Sequence, residues 1–353
     1  MKILYFTPYF LPLPEAAAVR SYWFVQTLKE AQHDIELITN EQLRCKLATN
    51  KDHALMRLVK ENTAGIELFI RIFRSNKDLY VLSSPPFFTV VWGALACILR
   101  GSKYILDVRD LYPEVFFETK LIRENSLLGK LAKSVTAFIY RRSHHIISVT
   151  HGLINEIKKY GPEHVHLMMN GYDSSIFFRG NKTEKFPDFT LVFHGNLGKV
   201  QNIETLLKLS DALSPYPEIK IKVAGSGSKA PLIEAAKKSN IEFLGSVPYN
   251  DIPKLLRKCH VGLSFRTDDK IGREAFPVKV FEYIGSGLPI ILAPKGEAGD
   301  LVEKEGFGKQ FENNEISLMV TAILKMKESD LEMKIDQNLS RQLSSKKILR
   351  LLS

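Results

Sequence analysis

The sequence predicts an α/β protein made of two doubly wound domains, and three observations support this. Short apolar runs alternate with helical stretches along the whole chain, as in mostly parallel sheets covered by helices on both faces. The 353 residues suffice for two domains of ordinary size. The polar segment RGNKTEKFPD carries Gly and Pro, as inter-domain linkers do. The predicted organisation is a first domain over residues 1–178, a linker over 179–188, a second domain over 189–339, and a helical segment over 340–353 that could pack back across the boundary.

The first domain begins with an apolar strand, a Pro-rich loop and a helix from about Ala16 to Ala31. The uncharged stretch from Leu79 to Leu99 is long enough to cross a bilayer, but Pro85 and Pro86 would break a spanning helix. We therefore expect a buried strand, a loop and a helix in this stretch. The strands predicted for the first domain are Met1–Phe6, Asp34–Thr39, Leu79–Leu82, Lys103–Leu106, His145–Val149 and His164–Met168.

The second domain repeats the alternation of strands and helices. Ligands of parallel sheets bind beyond the carboxyl ends of the strands, so functional residues should follow strands in both domains. We expect the two domains to face each other across a cleft that brings a donor and an acceptor together. The strands predicted for the second domain are Phe189–His194, Ile219–Ala224, Ile241–Leu244, Val261–Phe265 and Leu288–Ala293.

The composition excludes several classes of protein. With 45% hydrophobic and 25% charged residues, a disordered chain is excluded. The three cysteines lie far apart, which predicts neither disulfides nor a zinc site and fits a reducing compartment. The N-terminus lacks the pattern of a signal peptide, so a cytoplasmic protein is expected. The pairs His144-His145 and His164-x-His166 are expected to be packed or exposed histidines rather than metal ligands.

The most informative window is GREAFPVKVFEYIGSGLP, residues 272–289. Pro277 predicts a helix starting near Val278, with Glu274 in the preceding loop and Glu282 about one turn inside. The free N–H groups of a helix start form an anion site, and Lys279 shares a helix face with Glu282. This predicts a diphosphate at the helix start and Lys279, ribose hydroxyls on Glu282, and hydroxyls of a transferred sugar on Glu274. The alternative is that the two glutamates are solvated charges flanking a surface helix.

With these residues, the sequence resembles the retaining glycosyltransferases of the GT-B fold that carry the E-x7-E motif, glycosyltransferase family 4. The resemblance covers nearly the whole chain. It includes HGNLG at 194–198, VAGSG at 223–227, FLGSVP at 243–248 and NGYD followed by IF at 170–177. SSPPF at 83–87 and DVRDLYPE at 107–114 resemble the subgroup that builds bacterial capsule, O-antigen and exopolysaccharide units on lipid carriers.

The resemblance implies two Rossmann-like domains and transfer of a sugar from a nucleotide diphosphate-sugar with retention of configuration, without a required metal or cofactor. The family's roles for its two glutamates carry over to Glu282, on the donor ribose, and Glu274, on the sugar. The chain departs from the family where Asn196 and Gln201 stand in place of an Arg and a Lys, and Lys199, Lys279 and Arg266 are the candidate substitutes, of which Lys279 is best placed. The expected donor-binding residues are Glu282, Lys279, Gly195, Asn196, Lys199, Gly225, Gly227, Val247, Arg266, Phe276 and Val278.

Two of the expected cations also have an interpretation in which they do not contact the donor. Lys199 could be a solvated loop residue, and Arg266 could pair with Asp268 or Asp269. The glycines also allow a rival class, since Gly225-x-Gly227-x-x-Ala230 matches a dinucleotide fingerprint. That fingerprint should follow the first strand of a domain, whereas this one follows the second. Gly225 and Gly227 are therefore expected either under the nucleoside or as residues of a tight turn.

In the first domain, the loop after the strand that ends near Asp107 carries Arg109 and Asp110. Asp110 is the candidate base that orients the acceptor hydroxyl, although it could equally cap the following helix. Arg20, Arg109 and Glu15 are the candidate acceptor-side residues.

The net charge of +10 favours an anionic partner. Residues 120–160 carry eight Lys and Arg against two Glu, among apolar residues, which fits either a membrane-facing surface or an amphipathic helix over a sheet. No motif supports nucleic-acid binding.

The expected function is transfer of a hexose or N-acetylhexosamine from a UDP-sugar to a polyprenyl-diphosphate-linked saccharide, at the inner face of the cytoplasmic membrane. The alternatives are a bilobal sugar- or nucleotide-binding protein without turnover, for which Glu274 would be dispensable, and a sugar-nucleotide epimerase, which needs no acceptor.

Overall fold

The chain folds into two α/β units, each with a six-stranded parallel sheet, which confirms the predicted fold class. The computed structural model describes residues 1–11, 16–47, 53–181, 184–329 and 333–352. The first unit comprises Met1–Met169 with Ser345–Ser353, and the second comprises Asn170–Ser344. The segment over 170–188, which the sequence analysis divides between the first domain and a linker, thus groups with the second unit. One reason is that Tyr172 exchanges backbone hydrogen bonds with Leu339 and Arg341.

The first unit has the strand order β2-β1-β3-β4-β5-β6, with every neighbouring pair parallel. Alternate residues of its strands enter two different cores, one on each face of the sheet. Its strands are β1 (Lys2–Phe6), β2 (Asp34–Ile38), β3 (Leu79–Ser84), β4 (Tyr104–Val108), β5 (His145–Ser148) and β6 (Val165–Leu167). Its helices are α1 (Ala16–Glu30), α2 (Ala54–Arg74), α3 (Phe87–Arg100), α4 (Glu114–Glu118), α5 (Leu127–Arg142) and α6 (His151–Lys158).

The end of the chain completes one of these cores. Helix α14 (Arg341–Lys346) continues into a 3-10 helix over Lys347–Leu351. Ile348 and Leu351 are buried in the same core as Ile3, Tyr5 and Phe24. Residues from Ser345 onward therefore belong to the first unit because their apolar side chains cover its sheet.

The second unit has the strand order β12-β11-β10-β7-β8-β9, also parallel throughout. Strand β12 has only three residues, too few for its alternation to be read in the sequence. The strands are β7 (Phe189–His194), β8 (Ile219–Ala224), β9 (Ile241–Gly245), β10 (Val261–Phe265), β11 (Ile290–Ala293) and β12 (Gly308–Gln310). The helices are α7 (Ile203–Leu213), α8 (Ala230–Ala236), α9 (Ile252–Lys258), α10 (Lys270–Glu274), α11 (Val278–Gly285), α12 (Glu297–Lys304) and α13 (Ile316–Glu328), with 3-10 helices over Tyr249–Asp251 and Gln337–Leu339.

The uncharged stretch from Leu79 to Leu99 forms strand β3 and most of helix α3, as expected. Helix α3 has 14 residues, and no helix in the described ranges combines the length and apolarity needed to cross a bilayer. The three cysteines are free, with Cys97 and Cys259 buried and Cys45 exposed.

Candidate active site

The centre of the second sheet is a topological switch point. The chain passes from β7 to β8 on one side and from β10 to β11 on the other, so the loops after β7 and β10 diverge. Ligands of open parallel sheets bind at such a point. Gln201, after β7, and Arg266, after β10, form an isolated antiparallel bridge that joins the two loops. The expected donor-binding residues follow strands β7, β8, β9 and β10 or lie in or next to helix α11.

The turns after β7 and β8 are in backbone contact, and the contact requires glycine. Gly195 has a φ of +108° and Gly225 a φ of +155°. A Cβ on Gly225 would lie 1.9 Å from the carbonyl oxygen of Gly195, and one on Gly227 would lie 2.6 Å from the carbonyl carbon of Leu197. This close approach accounts for Gly225 and Gly227 as turn residues, while their contact with a nucleoside remains a prediction.

We expect Gly225→Ala to lower the free energy of unfolding by about 2–4 kcal/mol, because the new methyl must displace backbone at a φ that disfavours alanine. Gly306→Ala is the matched control: its φ is +72°, but nothing lies within 4 Å of its Cβ position. The control should cost only about 1 kcal/mol. Denaturant unfolding of both variants measures the difference, and equal losses would contradict the backbone contact.

Helix α11 begins at Val278, directly after Pro277, as the sequence analysis expects. Phe276 stacks on Phe281 with ring centroids 4.3 Å apart, which anchors the entry to the helix. Glu274 is the last residue of α10 rather than a loop residue, and its side chain is half-buried. The difference arises because the Asp269 carboxylate accepts a 2.7 Å hydrogen bond from the backbone N–H of Gly272, which stabilises this extra turn.

Lys279 is a buried cation bound to a neutral group. Its Nζ donates a 3.0 Å hydrogen bond to Oε1 of Gln201 and lies 4.0 Å from the ring centroid of Phe193. Burial, together with the nearby Arg266, lowers the pKa of Lys279 to about 7, against the raising effect of Glu282. Within the described ranges, no carboxylate lies within 4 Å of this Nζ. A bound anion would stabilise the charged form of Lys279.

Arg266 supplies a second cation near Lys279. Its Nε is buried without a hydrogen-bond partner, and burial lowers the pKa of its guanidinium. Asp268, one of the partners considered for Arg266, instead forms an ion pair with Arg273, and Asp269 acts on Arg266 only through its charge. Two cations with unused donor capacity therefore lie near the start of helix α11, which is an arrangement suited to an oxyanion.

Glu282 is buried beside three polar side chains. Its Oε2 lies 3.4 Å from Nε2 of His194, and its Oε1 lies 3.9 Å from Nη2 of Arg341. Burial raises the pKa of Glu282 to about 7, while Arg341, a hydrogen bond from Tyr249 and Lys279 lower it. Burial and Lys279 lower the pKa of His194 to about 3, so its imidazole is neutral. The carboxylate therefore keeps acceptor capacity for hydroxyl groups of a ligand.

The remaining expected donor residues are less enclosed. Asn196 and Lys199 are exposed in the loop after β7, and Val247 is half-buried in the loop after β9. Val278 is half-buried in the first turn of α11. Their contacts with a donor stay predictions.

Sequence reasoning missed three residues of this site. Gln201 was noted only as a departure from the family pattern, yet it is buried and holds Lys279. Arg341 and Tyr249, bound to each other by a 2.9 Å hydrogen bond, reach Glu282 from distant parts of the chain. Gln201 could have been found as a neutral substitute for a family cation, whereas no local pattern marks the other two.

In the first unit, Arg20 and Asp107 form a buried ion pair. The guanidinium donates from Nε and Nη2 to the Asp107 carboxylate at 2.9–3.2 Å, and Nη1 donates to the carbonyl of Met168 at 2.6 Å. The Ser83 hydroxyl also donates to Asp107, which lies inside β4 rather than at its end. This geometry gives Arg20 a structural role in joining α1 and β4 to the segment after β6, and its expected acceptor contact stays a prediction.

We expect Arg20→Met to lower the free energy of unfolding by about 3–5 kcal/mol, because it leaves the Asp107 carboxylate buried without its cation. Arg20→Met with Asp107→Leu should recover most of that loss, since no buried charge remains. The surface pair Lys133–Glu124 is the control, for which Lys133→Met should cost at most about 1 kcal/mol. Denaturant unfolding measures all three, and a double variant no more stable than the single would contradict the ion-pair account.

Asp110 and Arg109 follow β4 in a loop. Helix α4 begins at Glu114 with Pro113 as its N-cap, so Asp110 does not cap it. Asp110 keeps solvent access, but the surrounding protein raises the pKa of its carboxyl, against the lowering effect of Arg109. Arg109 donates weakly to the carbonyls of Ser84 and Pro85. Glu15 lies outside the described residues.

Four histidines converge at the edge of the first sheet. Nε2 of His166 lies 3.1 Å from Nδ1 of His145, and the rings of His144 and His164 adjoin that of His145. Burial and the neighbouring imidazoles lower the pKa of His145 to about 4. Within the part of the chain that the structure describes, no group of three or more His, Cys, Asp or Glu is placed to hold a metal ion.

Comparison with known proteins identifies the class of enzyme. Residues 175–344 match the family model described as glycosyl transferases group 1. The chain is 22% identical over 273 residues to the probable glycosyltransferase WbjE of Pseudomonas aeruginosa, an alignment that covers 72% of this chain and 67% of WbjE.

The fold resembles those of solved structures over nearly the whole chain. Alr3699/HepE from Anabaena, in complex with UDP, has a TM-score of 0.66 at 16% identity, covering 99% of this chain and 94% of that one. The same protein was also solved with UDP-glucose. The lipopolysaccharide outer core galactosyltransferase WaaB has a TM-score of 0.69 at 13% identity, covering 100% of this chain and 99% of that one. The fold is thus that of GT-B enzymes, and the match of residues 175–344 makes the chain a glycosyltransferase.

Proposed function

We propose that this glycosyltransferase transfers a hexose or N-acetylhexosamine, with retention of configuration, from a UDP-sugar to a polyprenyl-diphosphate-linked saccharide in the synthesis of a surface polysaccharide such as capsule or O-antigen. The proposal places the enzyme in family 4, with Glu274 and Glu282 as its E-x7-E pair. The observation that carries it is a pair of cations near the start of helix α11, buried Lys279 and half-buried Arg266, neither of which forms an ion pair with a carboxylate within the described ranges.

The donor would be held by the second unit. The diphosphate binds Lys279, Arg266 and the backbone N–H groups at the start of α11, and Glu282 accepts hydrogen bonds from the ribose hydroxyls. A nucleotide is supported by the UDP and UDP-glucose complexes of the Anabaena protein. When the bond between the anomeric carbon and the diphosphate breaks, negative charge builds on the leaving phosphate oxygen. The same cations stabilise that charge, so they assist both binding and bond cleavage.

The acceptor oxygen forms the new bond on the face of the sugar from which the diphosphate departs. In the proposal, Glu274 binds hydroxyls of the transferred sugar and Asp110 takes the proton of the acceptor hydroxyl. The raised pKa of Asp110 suits a base, because a carboxylate in a crowded site binds a proton more readily than one in water. Protein cations hold the diphosphate throughout, and no cofactor is part of the proposal.

A lipid-linked acceptor requires the enzyme to work at a membrane surface. Helix α5 lies within the basic segment 120–160 and exposes four apolar side chains, Leu127, Leu128, Leu131 and Phe138. It carries four Lys and Arg and no Asp or Glu. We include contact of this segment with the inner face of the cytoplasmic membrane in the proposal.

The test begins with a panel of nucleotide sugars, each measured for thermal stabilisation of the protein, since a ligand of the folded state raises its Tm. The best donor is then incubated alone and with polyprenyl-diphosphate-linked saccharides from membrane extract. We expect UDP release that depends on the acceptor, and a product whose anomeric NMR couplings match those of the donor.

The other outcomes identify the alternatives. Stabilisation without turnover, unaffected by Glu274→Ala, indicates a binding protein. Conversion of the donor to an epimer without acceptor indicates an epimerase. An inverted product contradicts retention, and turnover that is unchanged in Asp110→Asn contradicts its role as the base.

A further inference from the structure

Helix α2 has two apolar faces, of which only one is used by the fold. Ala64, Leu68 and Ile72 are buried in the core beneath the helix. On the opposite side, apolar residues recur at helical spacing with 42–74% of their surface exposed. This outer stripe consists of Leu55, Val59, Ile66, Ile70 and Phe73. From Leu55 to Phe73 it extends about 27 Å along the helix.

The polar residues on the outer side of α2 satisfy their hydrogen bonds within the protein. The Thr63 hydroxyl lies 3.0 Å from the carbonyls of Val59 and Lys60 and donates to the helix backbone. The Asn62 amide donates to the carbonyl of Leu58 and accepts from the indole N–H of Trp92. Because these groups already have hydrogen-bond partners in the protein, moving the outer side into an apolar medium costs less than it would for unpaired polar groups.

The charges of α2 are arranged asymmetrically. Glu61 is turned inward, where it accepts from the backbone N–H of Phe88 and where burial raises its pKa. Glu67 accepts from the backbone N–H groups of Arg44 and Cys45 and pairs with Arg71. Exposed Arg57 and Arg74 stand near the two ends of the helix. The solvent side of α2 is therefore mainly apolar, and it is positive near its ends.

Helix α2 belongs to a layer with two other helices, α3 and α5, whose charged residues are all cations. It packs along α3, which also contacts α5, and all three helices contribute to one core. Together these helices carry nine Lys and Arg and two Glu, and both Glu, Glu61 and Glu67 of α2, already have hydrogen-bond partners in the protein. An anionic lipid surface complements this layer. A second copy of the chain does not, because a symmetric contact would place its cations against those of the first.

We propose that the outer stripe of α2 inserts into the headgroup region of an anionic bilayer and is the principal membrane-binding element of the protein. The inference goes beyond the proposed contact of residues 120–160 and does not depend on the identity of the donor. The apolar stripe supplies the insertion, and the flanking arginines supply the preference for anionic lipid.

The experiment uses the full chain and vesicles of phosphatidylcholine with and without phosphatidylglycerol, in a co-sedimentation assay. Ile66→Glu with Ile70→Glu should lower partition onto the anionic vesicles by about tenfold or more, because two inserted apolar side chains become charged. Leu318→Glu, at an exposed position of α13 in the second unit, is the control and should leave partition unchanged. The double variant Arg57→Glu with Arg74→Glu should remove the preference for phosphatidylglycerol. Both arginines are exposed, so the core should stay intact.

Two results would overturn the inference. One is partition that the α2 variants leave unchanged or that the Leu318→Glu control lowers equally. The other is self-association of the wild-type chain that the α2 variants abolish, with no binding to vesicles, which would assign the stripe to a second copy. Tm and UDP affinity are measured on every variant. A loss of vesicle binding with intact UDP binding separates this inference from the proposed donor site.

Discussion

Glu282→Gln is expected to weaken UDP binding about 100-fold, because each hydrogen bond from a ribose hydroxyl to a buried carboxylate contributes roughly 1.5–3 kcal/mol. The amide keeps the volume of the carboxyl and one acceptor oxygen, so the site should stay packed. Isothermal titration with UDP measures the change. Turnover should fall with it, since the diphosphate departs from a nucleotide held by this contact.

Two control measurements test whether the loss of affinity in Glu282→Gln comes from its contact with the ribose. Glu234→Gln changes an exposed glutamate of α8 in the same unit and should leave UDP binding as it is in the wild type. UMP should lose about as much affinity as UDP in Glu282→Gln, because both carry the ribose. A loss seen with UDP alone would place Glu282 near the diphosphate instead.

Lys279→Met is expected to weaken UDP binding by about 30–100-fold, since it removes a charge-assisted contact to the diphosphate. UMP has one phosphate fewer, so its affinity should fall less than that of UDP. Lys208→Met, at an exposed position of α7, is the control. UDP binding that is equally strong in Lys279→Met would show that the diphosphate is held elsewhere, with Arg266 and Lys199 as the next cations to change.

Lys279→Met should also stabilise the ligand-free protein. Replacing a buried unpaired cation by an apolar side chain of similar length removes its desolvation cost, and we expect a gain on the order of 1–2 kcal/mol at pH 7. Since the pKa of Lys279 is lowered from 10.5 to about 7, the unfolded chain binds more protons than the folded one between these values. The advantage of methionine should therefore be largest near pH 7 and shrink as the pH rises towards 10. Thermal unfolding at several pH values measures it, and an advantage that grows with pH would contradict a buried charged lysine.

Much of the fold could be read from local patterns. Strands β7, β8 and β10 occupy the predicted ranges because short, mainly apolar runs (β7 and β10) and alternation of apolar with polar residues (β8) both favour strands. The start of α11 was predictable because Pro277 fixes the backbone and cannot continue a preceding helix. The position of Asp107 was not predicted correctly, because the strand continues through the carboxylate when a buried arginine neutralises it.

The candidate site was predictable only in part. The pattern placed Lys279 and Glu282 on one helix, and the structure buries both. It could not show that Gln201 holds Lys279 or that Arg341 and Tyr249 approach Glu282, because these contacts join residues far apart in sequence. The pKa shifts of Lys279 and Glu282 arise mainly from that burial, so no local sequence pattern contains them.

The most direct test of the donor site is the coupling between Glu282 and the ribose hydroxyls. Affinities of wild type and Glu282→Gln are measured for UDP and for 2′,3′-dideoxy-UDP. If Glu282 holds the ribose, removal of the hydroxyls should weaken binding strongly in the wild type and hardly at all in Glu282→Gln. If the two changes are additive, Glu282 does not bind the ribose and the assignment of the site is contradicted.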